Sequence, residues 1–368
     1  MRSPTVTPKL HRMAAQAARD PDRVFTTLAP RIDGDLLREA YRHPRQASAP
    51  GLDGVTAQPD ADHLDETLRA LHARRRRGRS QARPGARVGI EKEEGKQRPS
   101  GPPTFEDTIG QRAVARRLEA SAEHDCADSS YGFRQGRSPH DALHALRARC
   151  MRANIGWIVE ADVRGSCDSL DRTRLREVLG QRVNAGSRLR LIGKWLRAGG
   201  LEDGGVRHPE TGVGQGGVMA PVLAHICLQH VLAEWCEQEV QARLQGRSFL
   251  MRVAEDCVIG GELKAEARRM MAGLPQRCAR YGLTMQPTKT ALMACGKPET
   301  PQGATEGHGP GAFRGLPHSW TRSRQGYWGS KRRPAQKRLR RTKKALGRWG
   351  RTNRHPPLQD QYQPLGQK

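Results

Sequence analysis

Three carboxylates occupy positions where an acid is costly. Asp162 ends the apolar stretch Gly156-Trp157-Ile158-Val159-Glu160-Ala161, and Glu255-Asp256 separate two extended apolar runs, Phe249 to Ala254 and Cys257 to Ile259. A carboxylate at the end of a buried strand needs a cation to meet it. With 64 Lys plus Arg against 38 Asp plus Glu, a basic side chain can be that cation, and a turn cap is a further use for such acids. Three acids at the strand tips of one sheet can equally converge on Mg²⁺, a hard cation that takes oxygen ligands and phosphates. Spacing alone leaves both readings open. A second feature is the loop Gly212-Val213-Gly214-Gln215-Gly216-Gly217-Val218-Met219-Ala220-Pro221, set directly before a helical stretch. Such a loop lets a ligand approach the backbone closely, and a helix N-terminus favours phosphate.

The elements that must position these residues follow from pattern. Weak helical spacing runs from Asp33 to Arg42, and Leu64, Leu68 and Leu71 mark a helix that ends in the run Arg74 to Arg77. Glu93-Glu94-Gly95-Lys96 reads as a hairpin tip between short extended pieces. Ser138-Pro139-His140-Asp141 is an N-cap, a proline at the first helical position and an acid in the first turn, followed by Leu143 and Leu146. Residues 156–162 form a strand, and Leu175, Val178 and Leu179 share a helix face, as do Leu191, Ile192, Trp195 and Leu196. Residues 221–244 make a long helix; the runs on either side of Glu255-Asp256 make a hairpin. Residues 264–281 are helical, and Leu283 to Met293 begins as a strand. Strands alternating with helices and an antiparallel component give the α+β class. Residues 296–317, with six glycines and four prolines, read as a linker, and Lys331 to Arg354 carries 12 basic residues and no acid.

The net charge of +26 points to polyanionic partners, and aromatics at 4% leave a mostly aliphatic core. No stretch approaches the ~20 apolar residues of a membrane span. The N-terminus lacks the apolar core of a secretory signal, and none of the eight cysteines forms a C-x-x-C or zinc-finger spacing. They read as reduced thiols of a cytoplasmic protein.

Taken in order, the segments resemble those of bacterial group II intron reverse transcriptases, the intron-encoded proteins or maturases. The resemblance is carried by Gly51-Leu52-Asp53-Gly54-Val55, Gly95-Lys96-Gln97-Arg98-Pro99 with Pro103-Thr104-Phe105-Glu106-Asp107, and Tyr131-Gly132-Phe133-Arg134-Gln135-Gly136-Arg137-Ser138. It continues through Glu160-Ala161-Asp162-Val163-Arg164-Gly165, Gln215-Gly216-Gly217 with Pro221, Ala254-Glu255-Asp256, and Gly282-Leu283-Thr284 with Lys289-Thr290. It spans about residues 40–355. The resemblance implies a right-hand polymerase: residues 1–85 as a basic N-terminal extension with the first fingers segment, 86–295 as fingers and palm, 296–330 as a Gly/Pro-rich connection, and 331–368 as a basic, helical thumb or maturase-like fragment. It implies an RNA-directed DNA polymerase with two Mg²⁺ ions, Mn²⁺ able to substitute, and as partners a group II intron RNA, an RNA template with a DNA primer, and dNTPs. Asp162, Glu255 and Asp256 would be the metal-binding acids. Val163 would join them through its backbone, and with Arg164 would lie along the triphosphate. Lys96 and Arg98 would cap that triphosphate, Gln215, Gly216 and Gly217 would pack on the nucleotide, and Lys289 would stand near the leaving pyrophosphate as a proton donor. Neither a membrane partner nor an oligomeric state is implied.

Departures from the family pattern gather at the chemistry. The hairpin reads Val253-Ala254-Glu255-Asp256 where the family has Tyr-Ala-Asp-Asp, and Ser166 and Cys167 replace two phenylalanines. One extra methylene displaces a carboxylate by more than ~1 Å, which can cost on the order of 10²-fold in rate. Cys167 stands where a bulky aromatic would crowd the 2′ position of the nucleotide, so weak rejection of ribonucleotides is expected. The alternatives to an active, weakened polymerase are an RNA-binding splicing cofactor without polymerase activity and a degenerate, inactive intron protein. No endonuclease module follows the basic segment, so the C-terminus reads as short.

Overall fold

The structure is a computed structural model. It describes residues 6–26, 32–42, 61–77, 82–86, 88–91, 97–152, 155–184, 186–202, 205–207, 211–212, 216–296, 318–322, 328–332 and 336–355. In chain order the first elements are helices α1 (Val6–Arg19), α2 (Gly34–Arg42) and α3 (Ala61–Arg76) and strands β1 (Gly85–Ala86), β2 (Val88–Glu91) and β3 (Gln97–Ser100). Helices α4 (Phe105–Ala122) and α5 (Pro139–Arg152) lead to strand β4 (Trp157–Arg164). Helices α6 (Ser166–Ser169), α7 (Arg172–Arg182) and α8 (Gly186–Arg197) precede strands β5 (Gly200–Glu202) and β6 (Gly205–Arg207). Helix α9 (Ala220–Leu228) continues into a wider π-wound stretch, Gln229–Val240, and a closing 3-10 turn, Gln241–Arg243. Strands β7 (Ser248–Val253) and β8 (Asp256–Gly261), helix α10 (Lys264–Ala279) and strands β9 (Thr284–Met285) and β10 (Ala291–Ala294) follow, then β11 (His318–Arg322), β12 (Trp328–Arg332) and α11 (Gln336–Thr352).

The main sheet is antiparallel, in the order β10-β4-β8-β7, with β9 beside the far end of β4. Period-two alternation sorts its side chains onto two buried faces. Val159, Ala161, Val163, Leu250, Cys257 and Ile259 join a large core with α4, α9 and α10. Ile158, Phe249, Met251, Val253 and Val258 join a smaller one with Leu143 and Leu146 of α5. Burial on both faces explains why β7 and β8 read as nearly continuous apolar runs rather than alternating ones. Each fully buried Leu or Ile contributes about 1.5–3 kcal/mol. Helix starts are capped as their sequences suggest. In α5 the Asp141 N–H donates to Ser138 Oγ (3.2 Å) while the Ser138 N–H donates to Asp141 Oδ2 (2.8 Å). In α7 the Asp171 carboxylate accepts from the N–H groups of Thr173 (2.7 Å) and Arg174 (2.9 Å). A cap of this kind is worth about 1 kcal/mol.

Two expectations are corrected. The hairpin turn is Ala254-Glu255, not Glu255-Asp256: Val253 pairs with Asp256, which is already in strand β8 and is also the register partner of Asp162. Ala254 takes φ +57°, and positive φ at only the first central residue is the sign pattern of a type II′ turn, which matches strand twist. The strand expected from Leu283 onward is broken after Met285 by the 3-10 turn Pro287–Lys289, because Pro287 lacks the N–H a ladder needs. The hairpin around Gly95 exists as the pair β2–β3, its tip lying outside the described residues along with most of the Gly/Pro-rich stretch. No described helix is long and apolar enough to cross a membrane.

Candidate active site

Asp162 is one residue from the last buried position of β4, and Asp256 opens β8 directly opposite it. Being register partners on one sheet, they project from the same face. Glu255 sits in the turn, its carbonyl accepting the Val163 N–H (3.2 Å), so the turn is tied to the strand that carries Asp162. Asp162 is itself tied on the other side: its carbonyl accepts from the Gln286 N–H at 2.8 Å, and Lys289 Nζ, three residues on, donates to its Oδ2 at 2.6 Å. The elements thus bring Asp162, Glu255, Asp256 and Lys289 to one end of the sheet.

Burial raises the Asp162 pKa, the Lys289 hydrogen bond and charge pull against this, and the neighbouring Asp256 raises it again, leaving it above the ordinary aspartate value. The same bond to Asp162 raises the pKa of Lys289 above that of an ordinary lysine. Two carboxylates facing each other across the β4–β8 pair suit a hard divalent cation in donor type. Among the described residues no group of three His, Cys, Asp or Glu side chains is assembled to hold a metal ion, and one oxygen of Asp162 is engaged by Lys289. The donors therefore fit Mg²⁺ in kind, with further oxygens needed beyond the Asp162–Asp256 pair.

The other sequence-derived residues divide. The side chain of Val163 is buried in the larger core and its N–H is committed to the hairpin turn, whereas Arg164 is exposed at the strand end. Gly165, with φ +51°, turns the chain into α6, where Cys167 packs half-buried against the larger core. Gly216 is exposed with φ +103°, and the Gly217 carbonyl accepts the Ala220 N–H (3.2 Å) at the start of α9. The backbone of Arg98 pairs with Ile90 in the β2–β3 hairpin. Lys96 and Gln215 lie outside the described residues.

Sequence reading passed over Arg252. It is 0% exposed on β7, beside the acidic turn, and its guanidinium reaches the Ala254 carbonyl (3.1 Å) and Ser130 Oγ (2.8 Å). A lone arginine inside the apolar run Phe249-Leu250-Met251-Arg252-Val253 was the available signal. Gly132 belongs to the Tyr131–Ser138 motif, and a Cβ there would lie 2.3 Å from the Ala254 nitrogen, so only glycine lets segment 129–132 lie against the turn.

The family described as reverse transcriptase (RNA-dependent DNA polymerase) matches residues 90–337. Protein YkfC of Escherichia coli (strain K12) is 33% identical over 224 residues, covering 59% of this chain and 59% of YkfC. The group II intron-encoded protein LtrA of Lactococcus lactis subsp. cremoris is 30% identical over 224 residues, covering 60% of this chain and 37% of LtrA. An uncharacterized 91 kDa protein in the cob intron of Schizosaccharomyces pombe is 29% identical over 212 residues, covering 56% of this chain and 25% of that protein. The chain spans less than two thirds of the length of each of these relatives.

Proposed function

From the premise that this chain belongs to the reverse transcriptase (RNA-dependent DNA polymerase) family, we propose that it extends a DNA primer 3′-hydroxyl on an RNA template, as a protein of the group II intron type. The observation that carries the reading is the meeting of Asp162, its register partner Asp256 and Lys289 at the end of the main sheet. Mg²⁺ bound there would lower the pKa of the primer hydroxyl and neutralise the triphosphate. Asp162 and Asp256 would hold it, with Glu255 and the Val163 backbone as further oxygen donors. Lys289 keeps Asp162 charge-balanced until the substrate arrives and then holds a proton near the departing pyrophosphate. Lys96 and Arg98 would cap the triphosphate, the backbone at Val163 and Arg164 would lie along it, Gln215, Gly216 and Gly217 would pack on the nucleotide, and Cys167 would stand at the 2′ position of its sugar. In this reading residues 86–295 are fingers and palm, 1–85 an extension with the first fingers segment, 296–330 a connection, and 331–368 a basic thumb fragment that grips intron RNA.

Primer extension on an RNA template, with Mg²⁺ and then Mn²⁺, tests the proposal. Extension by the native chain that Asp162→Ala abolishes supports it. Extension that survives Asp162→Ala removes the metal assignment. Salt-sensitive RNA binding with no extension under either metal replaces the polymerase by an RNA-binding splicing cofactor.

A further inference from the structure

A fully buried guanidinium requires explanation. Replacing a buried ion by a well-packed apolar side chain is often neutral or stabilising, so Arg252 is not accounted for by stability alone. Its partners suggest another purpose. One terminal nitrogen donates to the carbonyl of Ala254, the turn residue held at φ +57°, which costs a non-glycine residue strain. The other donates to Ser130 Oγ at 2.8 Å and, at 3.5 Å, approaches both Nδ1 and the carbonyl of His225 on α9. The main chain repeats the connection: the Arg252 N–H donates to the Ser129 carbonyl and the Tyr131 N–H to the Arg252 carbonyl, both at 2.8 Å.

The network continues past the arginine. His225 Nε2 lies 3.1 Å from Cys126 Sγ, and that thiol donates to the Ala122 carbonyl at 3.2 Å. The tautomer that satisfies every contact has Nδ1 accepting from Arg252 and Nε2–H donating to sulfur. Burial, then the Arg252 and Arg134 cations, push the His225 pKa down to about 3, so the ring stays neutral. Burial lowers Arg252 to about 10, which keeps it charged at neutral pH. The chain of donors thus runs in one direction, from Arg252 to the end of α4, without a titrating member near neutrality.

We propose that Arg252 is a positioning residue: by gripping the Ala254 carbonyl at one end and Ser130 with His225 at the other, it locks the Ala254–Glu255 turn, and so sets Glu255 and Asp256 against Asp162. This rests on the polymerase reading only for the role of those acids; the mechanical lock stands apart from it. Ser130 is the residue through which the lock can be loosened while the buried charge is kept.

The test uses the full-length chain with Ser130→Ala, Arg252→Lys and Arg252→Met. Its direct readout is hydrogen exchange at the Val163 amide, which donates to the Glu255 carbonyl. Ser130→Ala and Arg252→Lys are expected to speed exchange there by about tenfold or more, while amides of α9 and β10 keep native rates. Primer extension by the same variants is expected to lose kcat on the order of 10–10²-fold, since a ~1 Å misplacement has that effect, with the nucleotide KM within about twofold. Unchanged exchange at Val163, or an increase spread evenly over β4, β10 and α9, overturns the proposal and makes Arg252 a scaffold residue. If Arg252→Met does not fold, Ser130→Ala decides. If the native chain extends no primer, the polymerase reading fails while the exchange pattern still accepts or rejects the lock.

Discussion

The hairpin β7–β8 and the helix α11 are opposite solutions to carrying charge. In the hairpin, acids and one arginine are packed among buried side chains, and each position is set by neighbours distant in sequence: Ser130, His225, Asp162 and Lys289. In α11 the charges face solvent. Its described side chains are exposed or nearly so, and even Leu339 and Leu346, which share a stripe with Trp349, are 41% and 45% exposed. A buried charge is restricted to one arrangement because alternatives leave it unpaired. An exposed cation keeps its water and acts by number and spacing, as phosphate binding requires. The first region fixes its charges in place, and the second leaves them in solvent.

Experiments can break this contrast. The largest effect is expected from removing charge on the helix. Changing Arg340, Arg341, Lys343 and Lys344 together to glutamine should flatten the dependence of log RNA affinity on log salt by about one unit or slightly less for each phosphate that is no longer neutralised. Thermal unfolding should not change, because these side chains are exposed. A salt slope identical to that of the native chain would remove α11 from the RNA-binding surface.

Glycine-to-alanine changes should have opposite signs in the two regions. At Gly132 the new methyl meets the Ala254 backbone, and urea unfolding should show a loss of about 1–3 kcal/mol, typical of overpacking. At Gly347 nothing lies within 4 Å, so alanine should add up to about 1 kcal/mol of helix stability, read as greater helicity in α11 by circular dichroism. A neutral Gly132→Ala would mean that segment 129–132 is not pressed against the turn.

The smallest effect concerns Asp162, and it depends on pH. Its folded pKa is raised, so the folded state favours the protonated form. Its contribution to stability is therefore fully present below the unfolded pKa and is lost as pH rises through the folded pKa. Asp162→Asn mimics the protonated form. It should be more stable than the native chain at neutral pH, by a margin that shrinks as pH falls through the carboxylate range. Destabilisation by Asp162→Asn at neutral pH that fades as pH falls through the carboxylate range would show that the Lys289 pair outweighs burial.

Much of the fold was legible because its signals are local. The Ser138 cap, the apolar run before Asp162 and the faces of α7 and α8 stand in the structure where their spacing put them. The acidic hairpin was legible as a hairpin but misplaced by one residue. Its turn depends on Ala254 accepting a positive φ, which nothing in the local sequence announces and which the Arg252 and Gly132 contacts support. The break after Met285 was marked by Pro287, yet its consequence was not: the turn swings Lys289 onto Asp162 across 127 positions of sequence.

By itself, then, the sequence determined the net positive charge, the family through ordered motifs, and which acids are candidates for chemistry. These are properties of composition and order, and they survive without coordinates. Tertiary structure alone decided that Asp256 rather than Glu255 faces Asp162, that Lys289 holds Asp162, and that a buried arginine grips the turn between them. Those facts depend on strand register and on packing between remote segments, where a shift of one residue moves a side chain to the other face of the sheet.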